Sequence, residues 1–423
     1  MLILRYLSYT NFIITIFEHK YFMSITSAKP VRFHFLDGLR AVAASMVVIL
    51  HAFASNIMKF SDKANMHILG SIFNYIDGYG VDLFFVLSGV VLLRPYLRNQ
   101  RDFKVIEYFR RRFWRIYPPY FVALLFAAVV IWFMNTYPTW YNATGGMNMQ
   151  FSWREIIHEM PIINLDGNYY NLAWWSLGTE ILFYLLVPVV VFIYPKRANL
   201  TDGKLLMVIA GGVIFTALLM IFVSGWFSTI YSFTYIVLNI GRFVEYPVCF
   251  LMGVLIAARD FDMKHGWAFF LSGAFLVFCS SVYPSVLTPA TGAGGWLSAQ
   301  NYPPFFLHSG YGLIFGGLIV FAFNKKALRT ILSKPFMLWL GERSYSLFVV
   351  HFSVFYLVDN IISRFIPSRT TFYAILTRGI GLPAALFVAM LLFHFVERKF
   401  ARGLVTANMF WPWQTKSLRE IGE

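Results

Sequence analysis

The chain has 423 residues, of which 58% are hydrophobic, 19% aromatic and only 13% charged, with a mean hydropathy of +0.62. So apolar a composition excludes a water-soluble globular domain and predicts an all-α, polytopic transmembrane helical bundle. The formal net charge of +15 calls for no nucleic acid, because membrane topology and anionic lipid account for it.

The first apolar stretch, "MLILRYLSYTNFIITIF", is short for a crossing and no small-residue cleavage site follows it. "MSITSAKPVRFHFLDGLRA", from Met23, reads like a natural beginning. Residues 1–22 are therefore expected to be an upstream-start artefact or a surface-lying stretch within an N-terminal segment 1–32. A helical crossing needs about 20 apolar residues. Ten candidates follow in chain order: 36–58, 76–97, 118–136, 172–194, 205–223, 235–257, 267–284, 305–323, 336–358 and 372–395, then a tail over 401–423.

With both termini inside, about 26 Lys and Arg fall on cytoplasmic segments and about 5 outside, an asymmetry that recurs at nearly every loop. The chain is thus expected in a cell membrane, with a bacterial plasma or inner membrane favoured. Cys249 and Cys279 both lie within predicted spans and offer neither a disulfide framework nor a metal motif.

Several crossings carry groups that a bilayer penalises. In "FLDGLRAVAASMVVILHAFASNI", Arg40 and His51 are eleven residues apart, which on a helix puts them on one face about 16 Å apart. Asp37, three residues before Arg40, is on nearly the same face. Either Asp37 and Arg40 pair at the interface and His51 ties two helices together, or the face is a polar path into the membrane. The second span, "GYGVDLFFVLSGVVLLRPYL", has Gly78, Gly80, Ser88 and Gly89 for close helix contact. Ser88 reads first as packing and second as a nucleophile. Asp82 there either orients a histidine or caps the outer helix end.

In "YFRRRFWRIYPPY", Arg112 and Arg115 share a helical face and their planar forks suit phosphate, with aromatic neighbours able to stack on an adenine. The alternative is a basic loop obeying topology. Glu180 lies about nine residues into the fourth span, flanked by Trp174 and Trp175, which read as an aromatic entrance. The loop before it is rich in Trp140, Tyr141, Asn142, Tyr169, Tyr170 and Asn171, a composition suited equally to carbohydrate and to an interfacial belt. Arg242 and Glu245 are expected to pair, His351 lies inside the ninth span, and His394 and Glu397 read as interfacial anchors.

Together these motifs resemble the acyltransferase 3 family of integral-membrane acyltransferases. The matching stretches are "LDGLRA" followed by His51, "GVDLFFVLSG", "RRFWRIYPPY", "WSLGTEILFY", "GERSYSLFVVH" and "FVERKF". Their order covers about residues 33–400, the expected transmembrane domain. The last departs from the usual Glu-x-Pro, since Arg398 and Lys399 follow Glu397. No SGNH-hydrolase-like domain follows, which favours the single-domain type.

The resemblance implies a cytoplasmic acyl-CoA donor, acetyl-CoA first, used as co-substrate with no tightly bound cofactor. It also implies an acceptor hydroxyl on a cell-surface or lipid-linked glycan. By it His51 is the catalytic candidate with Arg40 its partner, Arg112 and Arg115 bind the donor, and Glu180 is an acceptor-side or structural carboxylate. Asp37, Asp82, Ser88 and His351 are supporting candidates. His51 would act as base, or carry the acyl group itself. The competing reading is a transporter or flippase of a lipid-linked sugar in which the same groups relay protons; no inverted repeat supports it.

Overall fold

Apolar runs set the architecture, because a bilayer leaves the backbone only its own hydrogen bonds and so favours helices. The computed structural model describes residues 33–63, 79–98, 102–138, 150–162, 170–193, 201–204, 207–212, 214, 245–287, 303–366 and 370–401, and every regular element among them is helical. Phe35–Glu423 forms one unit; Met1–His34 is another and lies almost wholly outside the described residues, as do the expectations for residues 1–22 and for Gly78, Trp140, Tyr141, Asn142, Tyr169 and Arg242.

In chain order the helices are α1 (His34–Lys63), α2 (Gly80–Leu97), α3 (Val105–Thr136), α4 (Trp153–Glu159), α5 (Trp175–Ile193), α6 (Pro247–Ala258), α7 (Met263–Leu287), α8 (Pro303–Asn324), α9 (Lys326–Leu332), α10 (Pro335–Ile362) and α11 (Thr371–Leu392). A π turn, Phe393–Glu397, and the short α12 (Arg398–Ala401) follow α11. Among the described residues, seven helices are long and apolar enough to cross a membrane: His34–Phe53, Gly80–Leu97, Val105–Thr136, Trp175–Ile193, Leu307–Asn324, Pro335–Ile362 and Phe372–Ala401. They match seven of the ten expected crossings. The expected span 267–284 falls within α7, 235–257 is described only from Glu245 and ends in α6, and 205–223 lies mostly outside the described residues.

The third crossing begins earlier than its apolar run suggests. α3 starts at Val105 and carries the whole "RRRFWR" stretch, so Arg112 and Arg115 are on a helix and not in a loop. The reason is that their face points into the protein, where a helix need not be apolar. Pro118 and Pro119 are accommodated within it.

Two groups of helices form. α2 packs on α6 and α8, with α7 behind α8; α10 packs on α3 and α11. Arg378 of α11 pairs with Asp359 of α10 at 2.9 Å, and Tyr373 donates to the same carboxylate. α1 touches both groups: Ala43 faces Gly80 of α2, and Asp37 faces Gly341 of α10. At the α1/α10 contact any Cβ on Gly341 would collide with the Asp37 carbonyl. At the α2/α6 crossing a Cβ on Gly89 would lie 2.8 Å from the Cα of Gly253. Small residues let membrane helices approach this closely.

Gly253→Val should therefore lower thermal stability in detergent by about 1–3 kcal/mol, as overpacking does. Gly379→Ala, where the added carbon meets nothing within 4 Å, should keep the midpoint or raise it slightly, since alanine is the better helix former.

Candidate functional site

The polar side chains of the crossings gather at three places. At the basic end of α1, Arg40 Nη1 donates to Asp37 Oδ1 at 2.9 Å, one turn apart. The guanidinium of Arg40 also lines a cavity of about 70 Å³ walled by α1, α2, α3, α5 and α10. Along α2 its wall runs from Val81 to Leu92, about 16 Å of helix. It has room for small groups and waters.

Arg112 and Arg115 of α3 line the same cavity with Glu180 and Tyr184 of α5, Ser88 of α2, and Ser344, Tyr345 and Phe348 of α10. Ser88 Oγ donates to Glu180 Oε1 at 3.4 Å, and the Tyr184 hydroxyl donates to the same oxygen. Ser88 thus contacts a carboxylate and, among the described residues, no histidine. Glu180 shares one chamber with the arginines.

The Arg112 guanidinium lies over the Tyr108 and Tyr184 rings, with centroid distances of 5.8 and 5.9 Å. Its Nε is buried without a hydrogen-bond partner among the described residues. Among the described residues neither Arg112 nor Arg115 has an ion-pair partner.

Glu397 departs from its expected place as an interfacial anchor. It is 5% exposed and accepts from Ser346 Oγ at 2.6 Å. The π turn is the cause: one extra residue per turn shifts the register of the helix face and carries Glu397 inward, within electrostatic reach of Arg115 and Arg40. His394, in the same turn, stays exposed.

The second place is the histidine pair. His51 Nδ1 is 3.0 Å from His351 Nε2, with the ring centroids 5.2 Å apart and the ring planes within 15° of each other. His351 is fully buried; its Nδ1 is 2.8 Å from the Phe348 carbonyl and 3.3 Å from that of Leu347. His51 is not on the cavity wall. Phe348 stands between, lining the cavity with its ring, edge-on to Phe84, while its carbonyl serves His351.

The third place lies at the far end of α2. Asp82 is fully buried and its Oδ1 is 2.9 Å from His308 Nδ1 of α8. Of the two readings of Asp82, orienting a histidine is the one realised, and the histidine is His308, which sequence reading passed over. The buried thiol of Cys249 donates to the same carboxylate at 3.5 Å. Glu245 Oε2 is 4.0 Å from His308 Nε2. A further histidine inside an expected crossing, in "FLHSGYG", was the available signal.

The aromatic segment before α5 is structural where it is described. Asn171 Nδ2 and Trp174 Nε1 both donate to the Val349 carbonyl of α10, at 2.9 and 3.1 Å. Trp174 is fully buried and is no entrance residue. Tyr170 N–H donates to Glu159 Oε1 at 2.6 Å, and the Tyr120 hydroxyl to the Glu159 carbonyl at 2.7 Å.

Residues 33–394 match the acyltransferase 3 family, described as an acyltransferase domain. The chain belongs to that family. It is a multi-pass membrane acyltransferase. This acyltransferase is 29% identical over 345 residues to the acyltransferase MdmB of Streptomyces mycarofaciens, covering 77% of this chain and 80% of that one. It is 26% identical over 396 residues to the peptidoglycan O-acetyltransferase OatA of Listeria monocytogenes, covering 86% of this chain and 54% of the relative. The chain thus spans about half the length of that second relative. No solved structure matches it.

Outside the crossings, burial raises Glu159 to about 8, with Glu155 adding to the rise and the Tyr170 N–H opposing it. The folded acid therefore stays protonated while the unfolded one ionises. Stability is full below pH about 4.5, falls as pH rises toward about 8, and then levels off. Glu159→Gln should flatten that slope in thermal melts taken across pH 4 to 9.

Proposed function

We propose that the chain moves an acyl group, acetyl first, from cytoplasmic acyl-CoA to a hydroxyl of a cell-surface or lipid-linked glycan. The observation that carries this reading is the pair of guanidiniums, Arg112 and Arg115, that line a cavity without an ion-pair partner among the described residues. Like charges crowded in this way favour an anion between them, and the planar fork suits the phosphates of coenzyme A. Glycan as acceptor is supported by the likeness to the Listeria relative, a peptidoglycan O-acetyltransferase.

In the reaction His51 takes the proton of the acceptor hydroxyl as its oxygen attacks the thioester carbonyl. The C–S bond then breaks and the thiolate leaves, recovering the proton from His51. Arg40, on the same helix but about 16 Å from His51 and on the cavity wall, offers positive charge to the anionic donor and not to the reacting carbonyl, which lies beside His51. General base action contributes about 10²–10⁴-fold.

Purified protein in detergent, given acetyl-CoA and peptidoglycan fragments, should release free CoA and yield acetylated sugar. His51→Ala should abolish transfer while acetyl-CoA still binds; undiminished turnover in that variant removes His51 from the mechanism. Arg112→Lys and Arg115→Lys should each weaken acetyl-CoA binding about tenfold by titration calorimetry, the value of one charge-assisted bond. If both bind as the parent does, the pair serves topology alone.

A further inference from the structure

The two histidines determine each other's tautomers. The backbone carbonyls of Phe348 and Leu347 can only accept, and both face His351 Nδ1, the nearer at 2.8 Å. A lone pair on that nitrogen would point at two oxygens, so Nδ1 carries the hydrogen. His351 is fully buried, and its polar contacts are those carbonyls and His51, with no carboxylate among them. A second proton on its ring would leave a charge in apolar surroundings without a counter-ion, a costly arrangement. Its Nε2 is then a bare acceptor, 3.0 Å from His51 Nδ1. Two bare nitrogens at that distance repel, so His51 Nδ1 is the donor.

We infer that His351 is a positioning residue that locks His51 as its Nδ1–H tautomer, leaving His51 Nε2 as the basic atom of the reaction. The inference rests on His51 being the base and says which of its nitrogens acts. Among the described residues, Nε2 of His51 makes no hydrogen bond, and His51, unlike His351, is only half-buried. The chain runs from the Phe348 carbonyl, to His351 Nδ1–H, to His351 Nε2, to His51 Nδ1–H, to the lone pair on His51 Nε2.

The same bond serves the charged intermediate. When Nε2 takes the acceptor's proton, Nδ1 still donates to His351, so the positive ring keeps its partner and neither ring has to turn. When the thiolate leaves, the proton returns to sulfur from Nε2 and the starting tautomer is restored. A histidine is therefore placed where other catalytic bases have a carboxylate: it fixes orientation and tautomer while adding no negative charge to a site that must also receive an anionic donor.

Whole protein labelled with ¹⁵N in its histidine rings reads the tautomer directly. His51, identified by the signal lost in His51→Asn, should show a one-bond N–H coupling at Nδ1 and none at Nε2; the reverse pattern overturns the inference whether or not the protein turns over. The second arm follows CoA release from acetyl-CoA. His351→Gln can still accept from His51 and donate to the Phe348 carbonyl, whereas His351→Leu can do neither. The leucine variant should lose about 100-fold or more in kcat with KM for acetyl-CoA unchanged, and the glutamine variant should recover part of it. Equal rates for the two variants, or a loss confined to KM, overturn the positioning role. Absence of acetyl-CoA turnover in the parent counts against the proposed function instead, and leaves the tautomer standing on its spectrum.

Discussion

The contact of α1 with α10 is the constraint on which the rest of the site depends. At its basic end the backbone of α1 lies so close to α10 that Gly341 has no room for a side chain beneath the Asp37 carbonyl. Fourteen residues on from Asp37 and ten from Gly341, the two helices are still near enough for His51 and His351 to share a 3.0 Å hydrogen bond. Both ends of the contact are needed. A bulkier residue at the first would spread the helices and pull the imidazoles beyond hydrogen-bonding range, since that bond tolerates only a few tenths of an ångström.

Charge is balanced around the cavity by carboxylates brought from different parts of the chain. Arg40 has Asp37 within its own helix, one turn away. Glu180 comes from α5 and is itself held by Ser88 and Tyr184. Glu397 comes from the end of the chain's last described crossing, turned inward by a π turn and anchored on Ser346. Arg112 rests on aromatic faces instead, an interaction that orients a guanidinium without neutralising it. Positive charge is thus concentrated at the wall that carries Arg112 and Arg115, where an anion would be stabilised.

The remaining intramembrane charges serve packing as much as chemistry. Asp82, His308 and Cys249 tie α2, α6 and α8 together. Arg378 and Asp359 tie α10 to α11. Such pairs satisfy polar groups that lipid could not, and each ties helices together within one of the two groups. Phe348 links the cavity and the histidine pair, lining the one and giving its carbonyl to the other.

The sequence by itself determined the helical, membrane-spanning class, because the length and hydropathy of a crossing are properties of a single segment. It also determined that Arg40 and His51 share a face, because helical periodicity is local, and the order of its motifs was enough to suggest the family. What it left open were relations between segments. Nothing in the spacing says that Glu397 lies inside rather than at the interface, because that depends on a one-residue change of register in its helix. Asp82 was legible as a residue needing a partner but not as the partner of His308, which is more than two hundred residues away. The same holds for His51 and His351: each was readable as an ionisable group in a costly place, but only the close packing of α1 on α10 made them a pair, and only the Phe348 carbonyl on the far side of that pair decided which nitrogen carries the hydrogen.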